Sequence, residues 1–555
     1  MQNSITELLT RSLREALDKA GLPAPDDIAW EVPREESHGD YATNAALALA
    51  RIAKKAPRQI AEAIKSNFPR TPMVAKLEAA GPGFLNVFLA PDWCADALTG
   101  ILADGPAYGT RQAGLGKRML LEFVSANPTG PLVIVNARAA AVGDALARIL
   151  RSQGHRVECQ FYVNDAGNQF QALARSVDVR LRQALGEAAE LPENSYPGEY
   201  LVDLVAKWLA ADPAALRVMA ALPEAERREG LGRMAVRDIV DGQRAVLEAY
   251  GTRFDTWAHE QGDVRARELP ERVIAELQAA GHTYEEDGAL WFRSTAFGDD
   301  KDRVLRKSDG ELTYFAVDIA FHHYGKFGRA DWVINFLGPD HHGYIQRMKA
   351  AMEALGHPGE RFDALIVQLV TLLRDGQPVR MSKRRGEFVL MEELIEEVGR
   401  DAARFTFLTR RHDSPLDFDL AVATRQSSDN PVFYVQYAHA RVTSLFRTAA
   451  EQHVTVPPWD QVDFRPLGLP EEQTIIKRLL QYPSLVAGAA RAREPHRVAY
   501  YLSELAGLYH PYYKSHRVIT EDRELTLARL GLAAAVGQVV RNGLDLLGVA
   551  APESM

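Results

Sequence analysis

The sequence predicts an α/β protein: a parallel sheet split by a long, mostly helical insertion, with a small α+β domain before it and an all-α bundle after it. Three observations carry this. The runs KRMLLEFVSA, ARAAAVGDALARILRSQG and HRVECQFYV follow one another as strand, helix and strand, a βαβ unit whose crossover requires parallel strands. Strand-like runs then return only after about Asp300, at WVINFLGP and ALIVQLVTLL, so an insertion splits the sheet. From about Leu416 the apolar spacing stays helical to the end. A chain of 555 residues with 46% hydrophobic content also exceeds what one core holds, since single cores rarely grow past ~250–300 residues.

Taken in order, residues 1–112 hold an amphipathic helix (MQNSITELLTRSLREAL), a second helical pattern (HGDYATNAALALARIAKK), and KLEAAGPGFLNVFL, where Gly81, Pro82 and Gly83 punctuate before a strand carrying Phe84 and Asn86. Residues 113–415 form the sheet-based domain, interrupted by the insertion at about 164–300 and carrying a basic loop at 380–386. Residues 416–555 form the bundle, in which QSSDNPVFYVQYAHARVTSLF and HRVAYYLSELAGLYHPYYKSHRVI place aromatic and basic side chains on the same helices. No repeat and no low-complexity tract is present.

Composition excludes several classes. No stretch approaches ~20 uncharged apolar residues and the first helix has no apolar signal core, which predicts neither a membrane span nor a secretory leader, and a cytoplasmic protein. Cys94 and Cys159 are too few and too far apart for a disulfide framework or a zinc site, and both are expected to be buried. A net charge of −9 argues against indiscriminate nucleic-acid binding but leaves room for local basic tracks.

Four features carry candidate chemistry. Glu122 lies inside an apolar strand and Asn127 just past its end, where open α/β sheets hold their ligands. A carboxylate there either lies on a partly exposed face or meets a cationic group, a substrate or an internal arginine, since burying it unpaired is costly. Tyr314 and Asp318 are four apart and share a face if their segment is helical, although such a pair alone is more often a capping or surface pair. GPDHHGY offers Asp340, His341 and His342, a cluster seen in metal-dependent phosphoesterases. That reading needs further aspartates and a glycine-rich element, and the chain has no Gly-Gly pair, so no metal site is expected. Finally, RMSKRRG puts four cations in six residues after a turn, which would suit a departing polyphosphate but is, by itself, an ordinary solvated loop.

Their order along the chain is more specific than any one of them. HGDYATN, GPGFLNVFL, EFVSANPTGPL, YVNDAGNQ, TYFAVDIAFHH, GPDHHGY, RMSKRRGEFV, DNPVFYVQYAHAR and the closing NGLDLLGVAAPESM together resemble the bacterial arginyl-tRNA synthetases, a class I family, along nearly the whole length. The resemblance implies an N-terminal domain touching the tRNA elbow, with Phe84 and Asn86 against the tRNA, and a split Rossmann-like catalytic domain with a connective insertion. It also implies a helical anticodon-binding domain whose Tyr437, Arg441, Tyr513 and Arg517 meet the anticodon. The implied reaction joins arginine to its tRNA through arginyl-adenylate, with ATP as substrate, Mg2+ accompanying it, and a monomeric enzyme. Carried over residue by residue, Glu122 and Asn127 grip arginine, and Tyr314 and Asp318 read its guanidinium. Asp340, His341 and His342 lie on the nucleotide side, and Met381, Ser382 and Lys383 form the signature loop whose lysine neutralises pyrophosphate.

One stretch departs from the family. Where class I enzymes carry His-Ile-Gly-His or close to it, this chain has Val133, Ile134, Val135 and Asn136. Val133 offers no donor, and the side chain of Val135 occupies volume that glycine leaves to the adenine. Asn136 is then the one donor left here, beside Lys383, for the ATP phosphates, yet asparagine is also a preferred helix cap and is expected to satisfy the amide of Arg138 or Ala139. A smaller departure is Leu390, where the family usually has threonine after Phe388 and Val389. Three readings follow: an arginine–tRNA ligase; an impaired variant or paralogue that binds arginine and tRNA without catalysis; and a metal-dependent hydrolase.

Overall fold

The computed structural model describes residues 5–26, 28–33, 35–111, 116–379 and 389–555. At its centre five parallel strands lie in the spatial order Phe362–Ile366, Trp332–Leu337, Arg118–Glu122, Arg156–Val163 and Thr256–His259. The first of these in the chain is the middle one; the chain then builds outwards to one side and returns to build the other. The strand order therefore reverses between Arg118–Glu122 and Trp332–Leu337, and the crevice beyond their carboxyl ends is where such sheets bind ligands.

Apolar runs become strands here because both faces are covered. Leu120, Leu121, Phe161, Val333 and Ile334 are fully buried. The helix Ile134–Ser152 is alanine-rich for a related reason: it is enclosed on nearly every side and must lie close to the sheet. At Gly143 a Cβ would stand 2.3 Å from the ring of Phe123, so only glycine allows this approach.

Two expectations about segment texture are corrected. The region read as a mostly helical insertion to about Asp300 does begin with helices, at Gly167–Ala184, Tyr200–Ala211 and Glu224–Ala249, but Thr256–His259 within it is the edge strand of the central sheet. Behind it, Thr283–Glu286, Ala289–Phe292 and Arg303–Arg306 form a small antiparallel sheet. Four-residue strands are too short to show a period against long helices. Likewise the chain is not helical from Leu416: Leu416–Asp419 is a strand pairing in parallel with Val370–Arg374, and the long helices start at Pro431. The apolar run ALIVQLVTLL divides between two sheets, at Phe362–Ile366 and Val370–Arg374.

The N-terminal unit is an antiparallel sheet of Tyr41–Thr43, Val74–Ala80 and Phe84–Leu89 with helices Ile5–Lys19, Ala45–Ala53 and Pro57–Asn67 packed on it. Helices Pro431–Glu451, Pro470–Ala492, His496–Ser515 and Arg523–Leu546 form the C-terminal bundle. A buried ion pair within the central domain holds the side chain that joins the two: Arg404, fully enclosed, meets Asp144 from the alanine-rich helix and donates across to the Leu547 carbonyl at 3.0 Å. Both cysteines are buried, as expected.

Candidate active site

The strand Arg118–Glu122 ends in a strained turn. Val124 and Ser125 have φ of +66° and +36°, a left-handed conformation that is costly for a β-branched residue and marks a site that the surrounding structure holds in place. The turn swings the Ser125 hydroxyl back to donate to Glu122 Oε1 at 3.0 Å while accepting from the Tyr162 amide at 3.0 Å. Asn127 follows, exposed, with its carbonyl held by the Gln243 amide at 3.1 Å.

Glu122 does meet an internal cation, but it is a lysine rather than an arginine. Lys326 Nζ lies 2.5 Å from Glu122 Oε2, 2.9 Å from Asn335 Oδ1 and 3.0 Å from His322 Nε2, and is wholly enclosed. Burial lowers the pKa of Lys326 and the charge of Glu122 opposes that loss. Burial, with Lys326 beside it, holds His322 well below its usual range and so neutral. Its Nδ1 then donates to the Asp318 carbonyl at 2.8 Å, leaving Nε2 as acceptor.

The segment around Tyr314 is helical, as predicted, from Tyr314 to Ala320, with Thr313 as its side-chain cap. One face carries exposed Tyr314 and half-buried Asp318, and both line a cavity of about 400 Å³ with Arg303, Phe315 and Arg347. Burial raises the Asp318 carboxyl to about 7, against the pull of Lys326. A larger cleft of about 1260 Å³ lies elsewhere, between the central domain and the C-terminal bundle around Arg148, Arg541 and Asp545. The smaller one is lined by Asp318, which lies within electrostatic reach of Glu122 and Lys326, and this is the reason to look for the chemistry there.

On the other side of the crevice, the four-residue departure is built from backbone. Ile134 N donates to the Val389 carbonyl at 3.1 Å and Met391 N to the Leu132 carbonyl at 2.9 Å, so Val133 and Leu390 pair as a short antiparallel bridge. Each opens a helix, and each has its amide held by a side chain three residues on: Val133 N donates to Asn136 Oδ1 at 2.9 Å, and Leu390 N to Glu393 Oε2 at 3.2 Å. Asn136 is thus a cap of the reverse kind. It satisfies the amide before the helix, not that of Arg138 or Ala139. Because an amide donor requires oxygen opposite, the Nδ2 hydrogens of Asn136 remain unspent on this bond. Arg138, fully buried, instead binds the carbonyls of Gln368, Leu369, Arg411 and Ser414 at 2.7–3.3 Å. No spacing in the sequence signalled that brace, nor the role of Lys326, because both are long-range.

The remaining candidates are scattered or only partly placed. Asp340 and His341 sit exposed on the turn Pro339–His341, and His342 begins the helix that follows. Among the described residues no three His, Cys, Asp or Glu side chains are grouped to hold a metal. Met381, Ser382 and Lys383 lie outside the described residues, as do the whole basic loop and Phe388. Of the two residues expected against the tRNA elbow, Phe84 is exposed, but Asn86 is buried between Ala42 and Glu78 on the middle strand, which removes it as a contact. In the bundle, Arg441 is stacked between the rings of Tyr437 and Tyr513, at 4.6 and 4.9 Å, and bonds His510 Nδ1 at 2.9 Å. Arg517 is exposed near the end of the same helical layer.

Comparison with known proteins agrees with this arrangement. The family models of the arginyl-tRNA synthetase N-terminal domain, the class I catalytic domain of the arginine type and the DALR anticodon-binding domain match residues 7–89, 97–419 and 435–555. An arginine–tRNA ligase of Desulfosudis oleivorans is 47% identical over 100% of both chains, and one of Symbiobacterium thermophilum is 46% identical over 100% of this chain and 99% of its own. The solved arginyl-tRNA synthetase of Thermus thermophilus superposes with a TM-score of 0.79 at 25% identity, covering 99% of this chain and all of that one. With carboxylates at the switch point of a parallel sheet, a helical bundle behind it and similarity along the full length, the chain belongs to the arginyl-tRNA synthetases of class I.

Proposed function

We propose that the cavity beside Asp318 is where this arginine–tRNA ligase selects its amino acid, and that Glu122, Asn127, Tyr314 and Asp318 hold it there. The enzyme joins arginine to its tRNA at the expense of ATP. Arginine attacks the α-phosphate, pyrophosphate leaves, and the arginyl group passes from the adenylate to the terminal ribose. The observation that carries the pocket assignment is that Asp318 and Tyr314, on one helix face, line a cavity, with Glu122 within electrostatic reach of Asp318. A planar cation with several donors suits carboxylates fixed in this way, and an ammonium ion cannot span them.

On the nucleotide side, Asn136 Nδ2 donates to the ATP phosphates and Lys383 of the basic loop neutralises pyrophosphate. Asp340, His341, His342, Met381 and Ser382 complete that side, while Val133 and Val135 border the adenine. Mg2+ accompanies ATP. An ion of this kind is commonly carried by substrate phosphates and water with one or two carboxylates. Phe84 touches the tRNA elbow, and Tyr437, Arg441, Tyr513 and Arg517 engage splayed anticodon bases by stacking and hydrogen bonding. The enzyme works in the cytoplasm as a monomer; no helix among the described residues is long and apolar enough to cross a membrane.

An impaired chain that merely binds arginine and tRNA is not favoured, because similarity to arginine–tRNA ligases runs end to end despite Val133, Ile134, Val135 and Asn136. ATP–pyrophosphate exchange with arginine, run with tRNA present, tests the assignment. Arginine-dependent exchange is expected; its absence, with arginine still bound in calorimetry, would restore the binding-only reading.

A further inference from the structure

Arginine recognition as read above uses Glu122 and Asp318, yet Glu122 already has a buried cation on it. Lys326 reaches it from an unusual piece of backbone. Phe321–Lys326 is a π-helical turn continuing the helix of Asp318, and a second π-helical turn, Glu260–Arg265, packs against it. Such turns are rare, energetically poor, and recur at functional sites. The first delivers Lys326. The second delivers Glu260, which is occupied by Arg265 at 2.6 Å and the Tyr162 hydroxyl at 3.0 Å.

Lys326 is not free to be anything but a clamp. Its three donors are directed to Glu122 Oε2, Asn335 Oδ1 and His322 Nε2, with no exposure to solvent. His322 is fixed in turn by the Asp318 carbonyl and by Asn335 Nδ2 at 2.7 Å. The two oxygens of Glu122 are therefore distinguished: Oε2 meets the lysine, and Oε1 accepts from the Ser125 hydroxyl.

We propose that Lys326 is a positioning residue for arginine recognition: by clamping Oε2 of Glu122 from beneath, it presents Oε1 to the guanidinium and leaves Asp318 as the carboxylate that the substrate must complete. This rests on the pocket assignment made above. The groups facing Asp318 are Lys326, Glu260, Glu122, Arg347 and the Tyr344 hydroxyl, and those facing Lys326 are Glu122, Asp318, His322 and Arg329. Lys326 and Arg347 favour the ionised form of Asp318, whereas burial and the two glutamates oppose it. A purely structural lysine and a positioning one consequently differ in what they do to the pH dependence of arginine binding.

The test compares the full-length wild-type enzyme with Lys326→Met, Glu122→Gln, Asp318→Asn and Glu122→Gln/Lys326→Met, measuring KM for arginine and kcat in tRNA-dependent exchange between pH 6 and 9. Lys326→Met is expected to raise KM at least tenfold with kcat at saturation within about threefold. The pH at which affinity levels off should rise by more than one unit, because Asp318 loses the attraction of Lys326 that favours its ionised form. Adding Lys326→Met to Glu122→Gln should change KM less than twofold, since the clamp then has nothing to orient. A lower melting temperature with unchanged KM and pH profile in Lys326→Met would overturn the proposal. If that variant does not fold, a further tenfold loss in the double variant relative to Glu122→Gln would overturn it. Unchanged KM in both Glu122→Gln and Asp318→Asn would instead remove the pocket assignment itself.

Discussion

On the side of the crevice proposed for the amino acid, charged side chains are buried, mutually bonded and held by a strained turn: Glu122, Lys326, His322, Asn335 and Ser125 form one connected set. On the side proposed for the nucleotide, Val133 and Leu390 meet through backbone alone, and Asn136 is the polar side chain among the four residues that replace the usual motif. The difference reflects what each half must do. Selecting one cation among amino acids requires fixed charges of opposite sign, which only side chains supply. Shaping a nucleotide site can draw on main-chain hydrogen bonds, which survive changes of side chain. The paired bridge also ties the start of the alanine-rich helix to the start of the helix that opens at Met391.

The sharpest way to break this comparison is at the carboxylates. Glu122→Gln and Asp318→Asn should each weaken arginine binding by about 2–5 kcal/mol, the cost of breaking a desolvated charge pair, while KM for ATP stays near wild type. Calorimetry with arginine and exchange kinetics in ATP read the two effects separately, and equal losses for both substrates would show that the halves are not independent. Outside both halves, Tyr437→Ala should cost about 1–3 kcal/mol in tRNA binding, the value of a lost stacking platform, with arginine affinity unmoved. Filter binding at fixed salt checks it.

Acidity separates the halves again. With its carboxyl raised to about 7, Asp318 must ionise if it is to meet a guanidinium as proposed. Arginine affinity should then improve as pH rises from 6, by up to ~1.4 kcal/mol per unit, and level off above about 7. Calorimetry in buffers of different ionisation heat should record a released proton. The sign for folding is opposite: because the native state holds this proton and the unfolded chain gives it up near pH 4, the contribution of Asp318 to stability falls as pH rises from about 4 to about 7. The smallest effect is expected at Asn136→Ala, which leaves the Val133 amide without its acceptor. It should lower stability by ~1 kcal/mol and raise KM for ATP with no change for arginine, visible as a small fall in Tm.

Much of this was legible in the residues. The βαβ unit, the helix of Tyr314 and Asp318 and the need of Glu122 for a cation follow from local patterns that are read within ten or twenty residues. Thr256–His259 and Leu416–Asp419 were not, because a four-residue strand is defined by its neighbours in the sheet, and those neighbours lie about 100 and 46 residues away in the chain. Asn136 shows the intermediate case: its capping role was predicted, but which amide it would satisfy depended on how the loop before the helix was held by Leu390 and Val389.

By itself, then, the sequence determined the family and the order of the motifs that mark it, because apolar period, turn residues and motif spacing are local properties of the chain. Only the tertiary structure decided that the cation at Glu122 is Lys326, that Asn86 is unavailable on a middle strand, and that Arg138 is spent on four carbonyls. The physical reason is the same in each case. A buried charge or amide takes the partner that packing brings within 3 Å, and packing joins segments that no spacing along the chain relates.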